Sequence, residues 1–179
     1  MKANPALSIL KLAGTKNLGF DVVSEGEMRR VLTSSPGPKK IVFSGVGKTD
    51  EEIRFALQNE IFSLNVESLP ELNRVNMVAN GLNTRAPVSI RINPDVNPDT
   101  HPYIATGLRE NKFGLSMEDG MNAYKTAQSL PFIDIKGIDC HIGSQILSLQ
   151  PFEQATEKVL CFIDQLMKET GIVLSHINL

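Results

Sequence analysis

The sequence predicts an α/β fold, specifically most of a (β/α)8 barrel in which parallel strands are wrapped by helices. Three observations carry this. Short β-branched runs alternate with amphipathic stretches along the chain. Three of those stretches open with a Ser or Thr followed three residues later by Glu, the spacing of a capping box. The early strands recur about every 21 residues, the length of one strand–helix unit. A doubly wound sheet shares these features. Five whole strands, two clipped strands and six helices fall short of the ~250 residues of a complete barrel, so the expectation is a partial barrel without closure.

The elements follow in order. Residues 1–4 read as the last residues of a strand. Asn4 is placed as an N-cap and Pro5 at the first helical position, ahead of Ala6, Ile9, Leu10 and Ala13 on one apolar face. "LGFDVVS" (18–24) is the first complete strand run, and Ser24 with Glu27 caps the next helix. "KIVFSG" (40–45) precedes the Thr49–Glu52 box, and "IFSLNVES" (61–68) precedes the Ser68–Glu71 box. "APVSIRIN" (86–93) and "IDIKGIDCHIGS" (133–144) are the fourth and fifth runs. The last helix, roughly 152–170, carries Ala155, Val159, Phe162, Ile163 and Leu166 and stops at Gly171. "LSHINL" (174–179) begins another strand. The longest irregular stretch, 94–115, is expected to be functional, a lid over a site, because loops of that length in compact domains usually are.

Composition narrows the function. A net charge of −2 offers no basic patch for nucleic acid and no polybasic segment for a membrane surface. No apolar run reaches the ~20 residues of a span, and no secretion signal opens the chain. Cys140 and Cys161 do not make a disulfide framework, which points to a reducing, cytoplasmic setting. Cys161 is expected in the core. His101, His141 and His176 share no ligand spacing, and adjacent Cys140 and His141 point to opposite faces of a strand, so no metal site is expected.

"SGVGKT" (44–49) ends in Gly-Lys-Thr like a phosphate loop, but Val42 stands where that loop needs its first glycine. The stronger signal is positional, because chemistry in parallel βα architectures collects at the C-terminal ends of strands. Those ends offer Lys2, Asp21 and Ser24, Ser44, Asn65 and Glu67, Arg91 and Asn93, and His141 and Ser144. One such residue is ordinary; a lysine, carboxylates, an arginine and a histidine together suggest a site. Backbone N–H groups and a hydroxyl in "HIGSQ" suit a phosphate.

The same residues carry a family likeness. "KAN" (2–4), "GFDVVSEGE" (19–27), "VFSGVGKT" (42–49), "NVES" (65–68), "RINPDV" (91–96), "THPYIATGLRENKFG" (100–114) and "GIDCHIGSQ" (137–145) run in family order. On them the chain resembles the diaminopimelate decarboxylase family, pyridoxal-phosphate enzymes of the alanine-racemase-like (fold type III) group. The resemblance implies one pyridoxal-phosphate-binding barrel domain over residues 1–179, incomplete at both ends and lacking its last strand and C-terminal β domain. It implies that meso-diaminopimelate is converted to L-lysine and CO2 in lysine biosynthesis, with pyridoxal 5'-phosphate as cofactor and no metal. Lys2 matches the lysine that condenses with the cofactor aldehyde, His141 the histidine stacked on its ring, and Ser144 the serine near its phosphate. Asp21 and Arg91 match residues that orient the lysine and the ring, and loop 94–115 matches a segment near the active-site mouth.

The family's triple-glycine phosphate loop, its glutamate for the pyridine nitrogen and its C-terminal residues that complete a homodimeric site lie outside this sequence. The chain alone is therefore expected to have negligible decarboxylase activity. A non-catalytic cofactor-binding barrel and a decarboxylase of another basic amino acid are the alternatives.

Overall fold

The computed structural model describes residues 1, 4–34, 37–96 and 113–179. Helices and strands alternate: α1 (Leu7–Thr15), β1 (Phe20–Val22), α2 (Glu25–Ser34), β2 (Ile41–Phe43), α3 (Asp50–Gln58), β3 (Ser63–Val66), α4 (Leu69–Gly81), β4 (Ala86–Ile92), α5 (Met117–Ser129), β5 (Ile133–Cys140), α6 (Gln150–Thr170) and β6 (His176–Asn178). The strands form one parallel sheet in the order β1-β2-β3-β4-β5-β6. Each strand thus lies beside its sequence neighbour, as in a barrel wall and unlike the reversed order of a doubly wound sheet.

The sheet curls. In a flat sheet, residues three strands apart are ~14 Å apart. Yet the ring of Phe62, just before β3, meets the His176 ring on β6 edge-on at 4.8 Å between centroids. Met1, Asp21, Asn178 and Leu179, from opposite ends of the strand order, also line one cavity.

Alternation along the strands separates two faces. One set, including Val22, Phe43, Leu64, Val66, Val88, Ile90, Ile92 and Ile138, is buried and apolar. With it pack Met28 and Val31 of α2, Ile53 of α3, Leu72 and Val75 of α4, Tyr124 of α5 and Phe162 of α6. The other set is polar: Asp21, Ser63, Asn65, Ser89, Arg91 and Asp139. Two close approaches hold the wall together. A Cβ on Gly137 of β5 would lie 2.2 Å from the His176 carbonyl oxygen on β6, so only glycine permits this pairing. The Tyr124 hydroxyl, with no exposure, donates to the Gly137 carbonyl at 2.8 Å, and burial pushes its pKa up.

Three local expectations change. Asn4 does not cap α1. The helix begins at Leu7 after Ala6, and Asn4 instead accepts from the Ala6 N–H at 3.0 Å, forming a turn ahead of it. Of the expected apolar face, Leu10 is buried while Ile9 is 45% exposed, because α1 packs chiefly against α2. Cys161 is exposed rather than core, since it lies on the outer side of α6 from Val159, Phe162 and Leu166.

Candidate active site

The C-terminal ends of the strands surround a cavity of about 730 Å3. Asp21, Ser44, Glu67, Arg91, Asp139, His141 and Ser144 all line it. Two hydrogen-bonded series organise the polar wall. In the first, Ser44 Oγ donates to Asp21 Oδ1 at 2.6 Å and accepts from Asn65 Nδ2 at 3.1 Å, tying together the ends of β1, β2 and β3. In the second, Glu67 Oε1 accepts from the Gly45 N–H and from Arg91 Nη1, both at 3.2 Å. Arg91 Nε faces Asp139 Oδ2 at 3.6 Å, and the two residues are register partners on β4 and β5. Arg91 therefore stands between two carboxylates from its two neighbouring strands.

Burial sets the electrostatics. Glu67 and Asp139 are 7% and 5% exposed. Burial, assisted by the negative charges of Asp21 and Glu67 and opposed by Arg91 and Lys48, pushes the Asp139 carboxyl up to about 7. The neighbouring Cys140 thiol is pushed up to about 12 by burial and by Asp139, which keeps it neutral and unreactive. Asn65 Oδ1 and Glu67 Oε2 are buried without a hydrogen-bond partner among the described residues.

His141 leaves the sheet just past β5 and is exposed to the cavity. Its Nδ1 accepts from the Gly143 N–H at 3.1 Å. This short loop pins the imidazole by its own turn, where Gly143 has φ 136. Arg91 is also where the long excursion starts and returns. The Leu115 N–H donates to the Arg91 carbonyl at 2.9 Å, and the Asn93 N–H donates to the Leu115 carbonyl at 2.7 Å. Phe113 puts its ring 5.7 Å from the guanidinium. Most of that excursion, residues 97–112 with His101, lies outside the described residues.

The structure brings Asp21, Arg91, His141 and Ser144 to one cavity, as expected from the strand ends. Lys2 lies outside the described residues. Ser24 serves as a cap, accepting from the Glu27 N–H at 3.2 Å, and Asn93 turns the chain by accepting from the Asp95 N–H at 2.9 Å. Asp139 is not among the strand-end candidates, because it lies one residue inside β5. The signal was there: it stands two residues before His141, on the same side of the strand. Among the described residues no cluster of His, Cys, Asp and Glu could hold a metal ion, and no helix is long and apolar enough to cross a membrane.

The family model for the pyridoxal-binding domain of pyridoxal-dependent decarboxylases matches residues 1–179. The chain belongs to this family. A diaminopimelate decarboxylase of Vibrio cholerae is 52% identical over 178 residues, 99% of this chain and 42% of that protein. One of Haemophilus influenzae is 48% identical over 179 residues, 100% of this chain and 43% of that protein. The chain thus spans about two-fifths of the length of the curated relatives it matches. The crystal structure of diaminopimelate decarboxylase from Helicobacter pylori, complexed with L-lysine, superposes with TM-score 0.91 at 43% identity, over 96% of this chain and 43% of that one. An alanine racemase of Clostridium difficile shares the fold, with TM-score 0.72 at 18% identity, over 96% of this chain and 41% of that one. The pyridoxal-dependent decarboxylase fold accounts for the strand order and for a cavity at the strand ends.

Proposed function

We propose that residues 1–179 form the pyridoxal-phosphate-binding barrel domain of a diaminopimelate decarboxylase, acting on meso-diaminopimelate to give L-lysine and CO2. One observation carries this: relatives named diaminopimelate decarboxylase match 99% and 100% of the chain at 52% and 48% identity, and Asp21, Arg91, His141 and Ser144 line one cavity. The lysine decarboxylase of Selenomonas ruminantium is only 24% identical, so it speaks for the fold and not for a different basic substrate.

The donor set suits an aromatic, phosphate-bearing cofactor. His141 presents an exposed imidazole whose orientation is fixed, suited to lie against a flat ring. Ser144 is exposed on the same turn and offers a hydroxyl to an anion. Arg91 supplies a permanent positive charge from the neighbouring strand β4. Asp21, bonded to Ser44, supplies a carboxylate for a cationic group such as the Lys2 ammonium. Lys2 is assigned the covalent hold on the cofactor aldehyde. Bound pyridoxal phosphate would supply the electron sink that decarboxylation of an amino acid requires. The chain's own residues hold, orient and neutralise, and the low exposure of Glu67, Arg91 and Asp139 keeps water away from those charges. The amino-acid substrate is expected at the open side of the cavity, and a homodimer and a cytoplasmic location belong to the same proposal.

Borohydride reduction of the chain with pyridoxal phosphate, followed by peptide mapping, tests the assignment. A stable label on Lys2 is expected. A label spread over surface lysines, or none, would remove the cofactor reading.

A further inference from the structure

We propose that Asp139 is a positioning residue: from the strand beside Arg91 it sets where the guanidinium points across the cavity, and it acts on a bound anionic ligand only through that guanidinium. The identity of the ligand rests on the functional reading above; the positioning itself does not.

The geometry comes first. Asp139 and Arg91 are register partners on adjacent parallel strands, so their side chains emerge on the same face. Arg91 Nη1 is held at 3.2 Å by Glu67 on one side, and its Nε faces Asp139 at 3.6 Å on the other. The two anchors differ. Glu67 is itself fixed by the Gly45 N–H, and its backbone N–H is held by Glu71 Oε2 at 2.8 Å. Asp139 reaches Arg91 without so short a bond, and its side chain is 7% exposed at the cavity wall. A guanidinium does not lose its proton in a protein, so any change in this clamp comes from its carboxylates.

The charged groups facing Asp139 are Asp21 from β1, Lys48 from the segment after β2, Glu67 from the end of β3 and Arg91 from β4. On its own strand Cys140 stays neutral, and just past it His141 Nδ1 accepts from the Gly143 N–H. On β6, burial lowers the pKa of His176, so it too favours the neutral form. Two negative neighbours and burial outweigh the cations, which is why the carboxyl sits at about 7. Below that pH Arg91 keeps Glu67 alone and its Nε side is free to turn to an anion in the cavity. Above it, Asp139 draws the guanidinium back and adds a negative charge of its own.

Two measurements on the full 179-residue chain decide this. The first needs no ligand: the 15N resonance of Arg91 Nε, assigned by its loss in Arg91→Lys, is followed from about pH 5.5 to 8.5. An inflection near pH 7 is expected in the unsubstituted chain and a flat line in Asp139→Asn. No inflection, or one that persists in Asp139→Asn, overturns the proposal. The titration of the unsubstituted chain stands even where the variant folds poorly. The second uses 4′-deoxypyridoxine 5′-phosphate, which lacks the aldehyde and cannot condense with an amine. The affinity of Asp139→Asn relative to the unsubstituted chain is expected to rise about threefold between pH 6 and 8, the effect of one nearby charge. A constant ratio overturns the proposal. Binding by neither protein overturns the cofactor reading, and the resonance then decides the positioning.

Discussion

Lys48 belongs to the one motif that suggested a nucleotide, and the structure gives it different work. Its ammonium is buried and saturated: it donates to the Gly45 carbonyl at 2.6 Å, the Asn65 carbonyl at 2.6 Å and Glu71 Oε1 at 2.7 Å. With three donors and three acceptors, nothing remains for a phosphate. Instead it joins the ends of β2 and β3 beneath the cavity, while Glu71 holds the Glu67 N–H. Lys48→Met would leave Glu71 buried without its cation, a loss of ~3–5 kcal/mol. Urea unfolding should show it, and Lys48→Met combined with Glu71→Leu should recover part of the loss. A single variant as stable as the unsubstituted chain would mean that water reaches Glu71. The sequence showed Lys48 as part of a motif but could not show its partners, because Asn65 and Glu71 come from the next strand and helix. Asp139 is a similar case, visible as a residue type and hidden as a neighbour of Arg91.

At the scale of elements, the capping signals were the most legible feature, and their detail was the least. Thr49 and Glu52 form the full reciprocal box. The other two carry one variation. Ser24 and Ser68 accept from the backbone three residues on, but Glu27 reaches back to the Val23 N–H at 2.8 Å and Glu71 to the Glu67 N–H at 2.8 Å, one residue earlier than a box requires. These glutamates thereby grip the strand end that precedes the helix, close to Asp21 and Arg91. The spacing alone does not reveal this, since both arrangements use the same residues. Thr49→Ala should cost α3 ~1 kcal/mol in denaturant unfolding. Gly137→Ala should do far more, because its Cβ would meet backbone at 2.2 Å, not a side chain that can turn away. β5 and β6 would have to separate, and hydrogen exchange should report lost protection at Ile177 and Asn178 while β1 to β3 keep theirs. Retained protection on β6 would mean that the strands shift together to admit the methyl group.

For the whole molecule, the division between an apolar wall and a polar lumen ties stability to the acid cluster of the site. The strand runs were legible because their helix-facing residues are apolar; the meaning of Ser63 and Asp139 between them was not, since alternation does not say what a curled sheet encloses. A carboxyl whose pKa is raised on folding binds its proton more tightly in the folded chain. The folded state then holds more protons between the ordinary 3.8 and about 7, and stability falls as pH rises through that interval. Glu52 and Glu169 have lowered values, so their stabilisation is complete above their ordinary 4.5 and is lost only at lower pH. Burial lowers His176 below its ordinary 6.5, which makes stability rise with pH up to that point and partly offsets Asp139. Comparison with Asp139→Asn separates the two, because His176 is present in both proteins. Measured by urea unfolding, the stability of the variant relative to the unsubstituted chain should grow from pH 4 to 7 by on the order of a few kcal/mol, then level off. Parallel curves would place the Asp139 carboxyl back in the ordinary range, with the Arg91 ion pair outweighing burial. A difference that levels off near pH 7 would show that the chain holds a carboxyl beside Arg91 at a cost in stability, the arrangement expected where a charge is kept for a ligand and not for the fold.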